Sequence, residues 1–444
     1  MSLANGNSHR HADLVVVGGG LAGLTAAALS AKAGRSVVVL EQASNLGGRA
    51  ATQVKQGVHF NLGAHALYRR GHAYRIFTEL GIAFSGHFPR PGRALLLCKD
   101  RDYRMPQGAS TLFASRLLTI REKLRMAGLL GSFQRIEAGT FDRLCVSDWV
   151  RQTAGAGNLA QFLLALFRLS TYANDPDQMS AGAALRQLQL ALAGNVLYLD
   201  NGWQTLVDGL RAKAAGHGAE VRTGMRIEAV HADDGEVAVR LLGGQTIRAG
   251  AVVLAVPPTA AGELLGADAA RRLTARVPVR AACLDVALER LPKPQQRFAL
   301  GLDKPLYFSV HSAAAKLAPD GIAVVHLGKY LGDDASPPEI AEREMEELLD
   351  RVQPGWRNHV VSRRYLPVMT VANDLPRATD GGLPGRVPVA VRDNIYLAGD
   401  WVGAEGMLAD AAAASAAEAA RQVLARLAGA RSDRLVPSPL VGEG

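Results

Sequence analysis

The chain has 444 residues, 48% of them hydrophobic and 20% charged, enough apolar material for a large core and more than one domain of an ordinary water-soluble protein. Its net charge of +9 suits an anionic partner, but aromatics are only 5% and no Lys/Arg block is interleaved with them, which argues against nucleic acid and leaves a solvated basic surface or peripheral attachment to anionic lipid. No apolar run reaches membrane-spanning length, since Glu405, Asp410, Glu418 and Arg421 break the alanine-rich stretch 404–427, and no apolar segment of a secretory signal precedes residue 14. Three scattered cysteines, Cys98, Cys145 and Cys283, form no CxxC and read as reduced core thiols, so the cytosol is the expected compartment.

Residues 14–17 are short, apolar and β-branched, and read as a buried parallel strand. Gly18-x-Gly20-x-x-Gly23 follows. Gly18 allows a tight turn, Gly20 lets backbone approach a pyrophosphate, and Gly23 seats the next helix on the strand. That helix, about 21–33 and beginning with Leu21 and Ala22, stops at Gly34. A second strand, 37–40, ends in Glu41, 23 residues past Gly18, where an acid is placed to hold a ribose hydroxyl. A dinucleotide pyrophosphate is expected at the helix N-terminus, with NAD and FAD both open at this point.

After Gln42 comes Leu46-Gly47-Gly48-Arg49-Ala50, whose glycines free the backbone to pass a bound group while Arg49 reaches a phosphate. Then comes Gly57-Val58-His59-Phe60-Asn61-Leu62-Gly63-Ala64-His65. Together these stretches resemble the N-terminal signature of the flavin amine oxidase and phytoene desaturase superfamily, with Asn61 where an aspartate is usual. The resemblance implies an α/β fold: a Rossmann-like, doubly wound FAD-binding domain (12–83, 195–262 and 388–430) with an inserted α+β substrate domain (84–194 and 263–387), an antiparallel sheet flanked by helices. Residues 1–11 and 431–444 are expected as flexible tails. It also implies non-covalent FAD against Gly18, Gly20, Leu21, Ala22, Gly23, Glu41, Gln42, Gly48, Arg49, Gly63, Ala64 and His65.

Further along, 73–80 reads as a helix stopped by Gly81, 94–98 and 103–105 as a strand pair, and 112–130, 143–153, 159–169 and 181–192 as helices. Gly155-x-Gly157 has no strand before it and reads as a helix-to-helix loop. With a single fingerprint in the chain, reduction of the flavin by the substrate itself is expected. A helix from Gly202 to about 215 precedes strands 220–223 and 227–231, a hairpin of 237–241 with 246–248 around Gly243-Gly244, and a strand from 251 ending at Val256-Pro257-Pro258. By resemblance Ile227 meets the adenine and Val256 borders the cofactor. Alternating runs at 281–288, 306–311 and 322–327 suggest a mostly antiparallel sheet, and 338–352 a helix with a solvated charged face. Trp356, Tyr365 and Met369 suit either core or pocket. A last strand closes on Gly399-Asp400 and leads through Glu405, Gly406, Met407 and Leu408 into the alanine-rich helix. This resembles the superfamily's C-terminal flavin motif, in which the aspartate holds the ribityl or pyrophosphate part and the helix N-terminus faces the flavin.

Superfamily amine oxidases carry a lysine on the strand after a VP dipeptide, and an ungapped overlay on Val277-Pro278 puts Leu284 there, with none at Ala282, Cys283, Asp285 or Val286. The resemblance therefore favours a phytoene desaturase-like dehydrogenase of a small, hydrophobic molecule over an amine oxidase. A non-catalytic prenyl-binding protein, as in Rab GDP-dissociation inhibitors, is the third reading. His65 is the one titratable side chain placed to orient substrate or accept a proton, the alternative being a histidine satisfied by backbone. No metal or nucleophile motif occurs, and no cysteine lies near the C-terminal motif to form a thioether.

Overall fold

The computed structural model describes residues 11–435 except 64, 91, 100, 234, 333–336 and 393. The apolar run expected at 14–17 forms the strand His11–Val17 in the middle of a mixed sheet. Val37–Leu40 lies parallel to it on one side, with Glu220–Arg222 beyond; Thr246–Leu254 lies parallel on the other. Thr246–Leu254 runs straight through the point where two separate strands were expected. Its first half pairs antiparallel with Glu236–Leu241, and its last three residues pair parallel with Ile395–Leu397. Gly250 does not interrupt it: a Cβ there would meet Leu427 Cδ2 at 2.7 Å, so the glycine serves close packing against the last helix.

The helix Leu21–Lys32 packs against Leu408–Leu435 and Gln204–Gly216. Its buried alanines meet Ala413, Ala416 and Ala419, and small side chains on both helices let backbones approach closely. The final helix continues to Leu435, past the tail boundary expected at 431, while 1–10 and 436–444 lie outside the described residues.

A second sheet has the order Val360–Ala372, Val279–Leu288, Ala323–Leu331, Leu306–Val310, Phe298–Gly301, Ala94–Cys98, Arg101–Arg104, antiparallel except where Phe298–Gly301 meets Ala94–Cys98. Residues alternate between its faces. Ala282, Leu284, Val286 and Leu288 pack with Met345, Leu348 and Leu349 of the helix Pro338–Val352. That helix's acids are less free than expected from sequence: Glu344 pairs with Lys329 and Lys304, while Glu342 and Glu346 pair with Arg363. Helices between 109 and 194 enclose a core of their own around Trp149, Phe162, Leu163 and Leu185. The helix expected at 112–130 is split into Ala109–Phe113 and Ile120–Ser132, because Thr119 and Glu122 form a capping box that starts a new helix. Gly155 and Gly157 indeed lie between two helices, Val146–Ala154 and Asn158–Thr171.

Candidate active site

A cavity of about 440 Å³ runs along the C-terminal ends of the parallel strands, where an open α/β sheet offers exposed backbone and helix N-termini. Gly18 turns with φ +108°, and a Cβ on it would lie 2.4 Å from Ala255 O. At Gly23 the clash is worse, 1.9 Å from Gly18 O, so this glycine seats the helix and lies behind the cavity wall. Gly20 differs: the nearest protein atom to a Cβ would be 3.9 Å away, although the residue lines the cavity. Nothing in the protein's own packing requires glycine there, so the space suits a ligand approaching the backbone. Glu41 accepts from Gly19 N at 2.6 Å and Ala43 N at 2.8 Å, which fixes its carboxylate at the rim of the turn.

The Gly47-Gly48-Arg49 loop is fastened to that turn by Gly47 N donating to Gly19 O at 2.9 Å. Arg49, expected to face a phosphate, instead donates Nη1 to Asp400 Oδ2 at 2.7 Å and to Val371 O at 2.7 Å. Asn373 donates its backbone N and Nδ2 to the same carboxylate. Burial alone would raise the Asp400 carboxyl, but the Arg49 charge and these hydrogen bonds outweigh it and hold it below the usual carboxylate range. The two residues read from opposite ends of the chain as separate cofactor contacts are thus partners.

At the other end of the cavity each ring nitrogen of His65 lies beside a backbone carbonyl, Nδ1 2.9 Å from Gly63 O and Nε2 3.0 Å from Arg49 O, and the ring lies 4.9 Å from that of Trp203. Burial dominates and pushes it down to about 4, so the imidazole is neutral at pH 7 with one nitrogen donating. Asn61 uses one oxygen for two donors, Thr52 Oγ1 at 2.7 Å and Trp203 N at 2.9 Å, which explains why an amide suffices at this position. Beneath the loop, buried Asp285 is bracketed by His326 and Arg364, and Arg364 also donates to Phe60 O and Asn61 O.

Gly18, Gly20, Leu21, Ala22, Glu41, Gln42, Gly48, Arg49, His65, Ile227, Val256, Gly399, Asp400 and Leu408 all line the cavity. Gly63 does not: with φ +88° it packs against Met369, which a Cβ would strike at 2.5 Å. Gly406 instead accepts through its carbonyl from Arg386 Nη1, and Met407 is buried in the helical core. Ala64 lies outside the described residues. Sequence reasoning missed Tyr68, Tyr172, Trp203, Asn373 and Asp410, all on the wall, and left Met369 undecided between core and pocket. Asp410 alone carried a signal, an acid in the first turn of a helix entering a cofactor motif.

Residues 21–424 match the family model "Flavin containing amine oxidoreductase". The chain belongs to this family. It is 24% identical over 280 residues, 57% of the chain, to "Probable flavin-containing monoamine oxidase A" of Dictyostelium discoideum, and 28% identical over 276 residues, 55% of the chain, to a chloroplastic/chromoplastic 15-cis-phytoene desaturase of Glycine max. The matches cover only 59% and 47% of those relatives, so the chain spans about half the length of the curated proteins it matches. Wild-type putrescine oxidase bound to putrescine superposes with a TM-score of 0.73 over 94% of this chain and 99% of that one, at 18% identity, a likeness of fold.

The family is a flavin-containing one, and FAD is its cofactor. The cavity fits that cofactor: Glu41 and Ile227 would take the adenosine end, the Gly18–Gly20 turn the pyrophosphate, and the N-terminus at Leu408, itself in left-handed backbone with φ +55°, the flavin end. No cysteine of the described residues lines it.

Asp410 stands out within this family site. Its Oδ1 accepts from Ala73 N at 2.8 Å, capping His72–Glu79 in place of side-chain-less Gly71, while Oδ2 has no partner among the described residues. Burial raises the carboxyl to about 7. The folded state therefore holds this proton more tightly than the unfolded one, and the stability it contributes is lost as pH rises from near 4 through 7. Asp410→Asn keeps the cap and removes the titration. The variant is expected to gain roughly 2 kcal/mol over wild type between pH 5 and pH 8, read by urea denaturation of the apoprotein at both pH values.

Proposed function

We propose that this oxidoreductase dehydrogenates a neutral, apolar substrate of polyene or terpenoid class. The observation that carries the reading is the face the second sheet turns to the site. Leu284, the position first matched to the amine oxidase lysine, points the other way into the core under Pro338–Val352. On the opposite side of the same strand Cys283 Sγ lies 3.4 Å from Met369 Sδ, and Met369 lines the cavity. Lys329 is turned to the helix side and paired with Glu344 at 2.5 Å. Among the described residues the cavity wall has no lysine, and Tyr68, Tyr172, Leu67 and Met369 supply an apolar lining.

FAD, when bound, supplies a two-electron acceptor. The protein's part is positional and electrostatic. The N-terminus of Leu408–Leu435 lines the cavity, and its helix dipole favours negative charge there. Arg49 and Asp400 neutralise each other on the wall. His65, neutral and so donating to one of the Gly63 and Arg49 carbonyls, ties the loop beside Trp203. That Cys98, Cys145 and Cys283 are not joined in disulfides supports a reducing compartment, the cytosol.

Oxidation of an amine is the second reading, favoured by the match to a monoamine oxidase. Anaerobic mixing of the FAD-loaded protein with a panel of polyenes, terpenoids and primary amines separates the two. Loss of the oxidised flavin absorbance with polyenes or terpenoids alone is the expected result. Bleaching by amines alone would overturn the proposal.

A further inference from the structure

Ten large hydrophobic side chains are exposed among the described residues, and four of them fall within 18 positions: Phe113, Ile120, Leu124 and Leu130, at 53%, 76%, 60% and 50% exposure. They belong to the two short helices Ala109–Phe113 and Ile120–Ser132, created by the capping box at Thr119. At 3.6 residues per turn Ile120, Leu124 and Gly131 fall on one stripe of the second helix, with Ala127 and Gly128 at its edges. The opposite stripe holds Glu122, Met126 and Leu129, with Met126 buried and Leu129 packed on the helical core. Besides the inward apolar face of an ordinary surface helix, on which Met126, Ala127 and Leu129 pack, this helix thus carries a second apolar stripe, Ile120 and Leu124, that points away from the molecule.

Charge surrounds this stripe with one sign. Between 109 and 135 there are five cations, Arg116, Arg121, Lys123, Arg125 and Arg135, and one acid. That acid, Glu122, is turned inward: it accepts from Thr119 N at 2.9 Å and Leu159 N at 3.1 Å. Arg121 and Arg125 flank the apolar stripe on one side and Lys123 on the other, and Arg116 is exposed in the turn between the helices. An apolar ridge rimmed by cations is complementary to a surface that is anionic at its rim and hydrocarbon below. No helix of the described residues is long and apolar enough to cross a membrane, so such contact would be interfacial.

We propose that Phe113–Leu130 is a docking surface for an anionic phospholipid bilayer. Ile120, Leu124 and Phe113 enter the acyl boundary while Arg116, Arg121 and Arg125 meet lipid phosphates. This goes beyond the reading of the active site and stands whichever substrate class that site oxidises.

The test is flotation of the FAD-loaded protein with vesicles of phosphatidylcholine alone or containing 30% phosphatidylglycerol. Wild type is expected to float with the anionic vesicles at least tenfold more than with the neutral ones. The Ile120→Ser/Leu124→Ser variant should lose at least tenfold of that binding. Arg121→Gln/Arg125→Gln should abolish the preference for anionic lipid. All four positions are exposed, and unchanged flavin absorbance reports an intact fold. The proposal is overturned if wild type stays unbound on anionic vesicles, or if the variants float as wild type does. It is equally overturned if wild type does not float but self-associates through this face, seen in size-exclusion chromatography as dimer that Ile120→Ser/Leu124→Ser converts to monomer.

Discussion

Gly23→Ala is expected to yield protein that holds no FAD and is destabilised by about 3 kcal/mol or more. The added methyl would lie 1.9 Å from Gly18 O, 3.0 Å from Gly18 C and 3.2 Å from Ala255 Cβ. Backbone and strand atoms cannot rotate aside as a side chain could, so the helix Leu21–Lys32 must lift off the sheet and take the turn with it. Gly20→Ala makes the control. With 3.9 Å to the nearest protein atom, the apoprotein should unfold as wild type does, while FAD binding weakens at least tenfold because the methyl takes ligand space. Urea titration and quenching of flavin fluorescence read the two effects separately. Wild-type FAD affinity in Gly20→Ala would place the cofactor elsewhere.

The second large effect concerns Arg49. Arg49→Met leaves the buried carboxylate of Asp400 with only its Asn373 hydrogen bonds, and is expected to cost about 2–4 kcal/mol. The lower part of that range reflects Arg49's remaining exposure toward the cavity, 41% for its side chain. Asp400→Asn should cost less, since it keeps an acceptor for Arg49 and leaves no unpaired buried charge. The pH dependence follows from the depressed carboxyl: wild type loses this contribution as pH falls below the ordinary carboxylate range. Urea denaturation at pH 7 and at a pH well below 4 should therefore show the gap between wild type and Arg49→Met closing on acidification. A gap independent of pH would remove the ion pair as its cause.

What was legible in the sequence is what lies contiguously in it. The turn at Gly18, the helix after it and Glu41 follow from local pattern because strand, glycine spacing and acid share one βαβ unit. Interactions across the chain were not legible. Arg49 and Asp400 each carried a cofactor signal, but nothing in either motif says that they bind each other. The wall of the cavity depended on which face of a strand looks inward: one residue along Val279–Leu288 exchanges Leu284, in the core, for Cys283, beside Met369. The two strands expected where Thr246–Leu254 is one flank Gly250, and a glycine in a strand pattern marks either a break or a close approach; here packing against a distant helix decides.

The pairing of Thr246–Leu254 also has a bearing on how this chain is made. Its C-terminal half is bordered by Ile395–Leu397. During synthesis that flank stays an open, apolar edge until Ile395–Leu397 has been translated, although the first strand has both its neighbours by Leu254. Pairings of such separation form slowly, and uncovered edges recruit other chains. The architecture that gathers a cofactor cradle from residues as far apart as Gly18 and Asp400 thereby makes the site one of the last features of the fold to be completed.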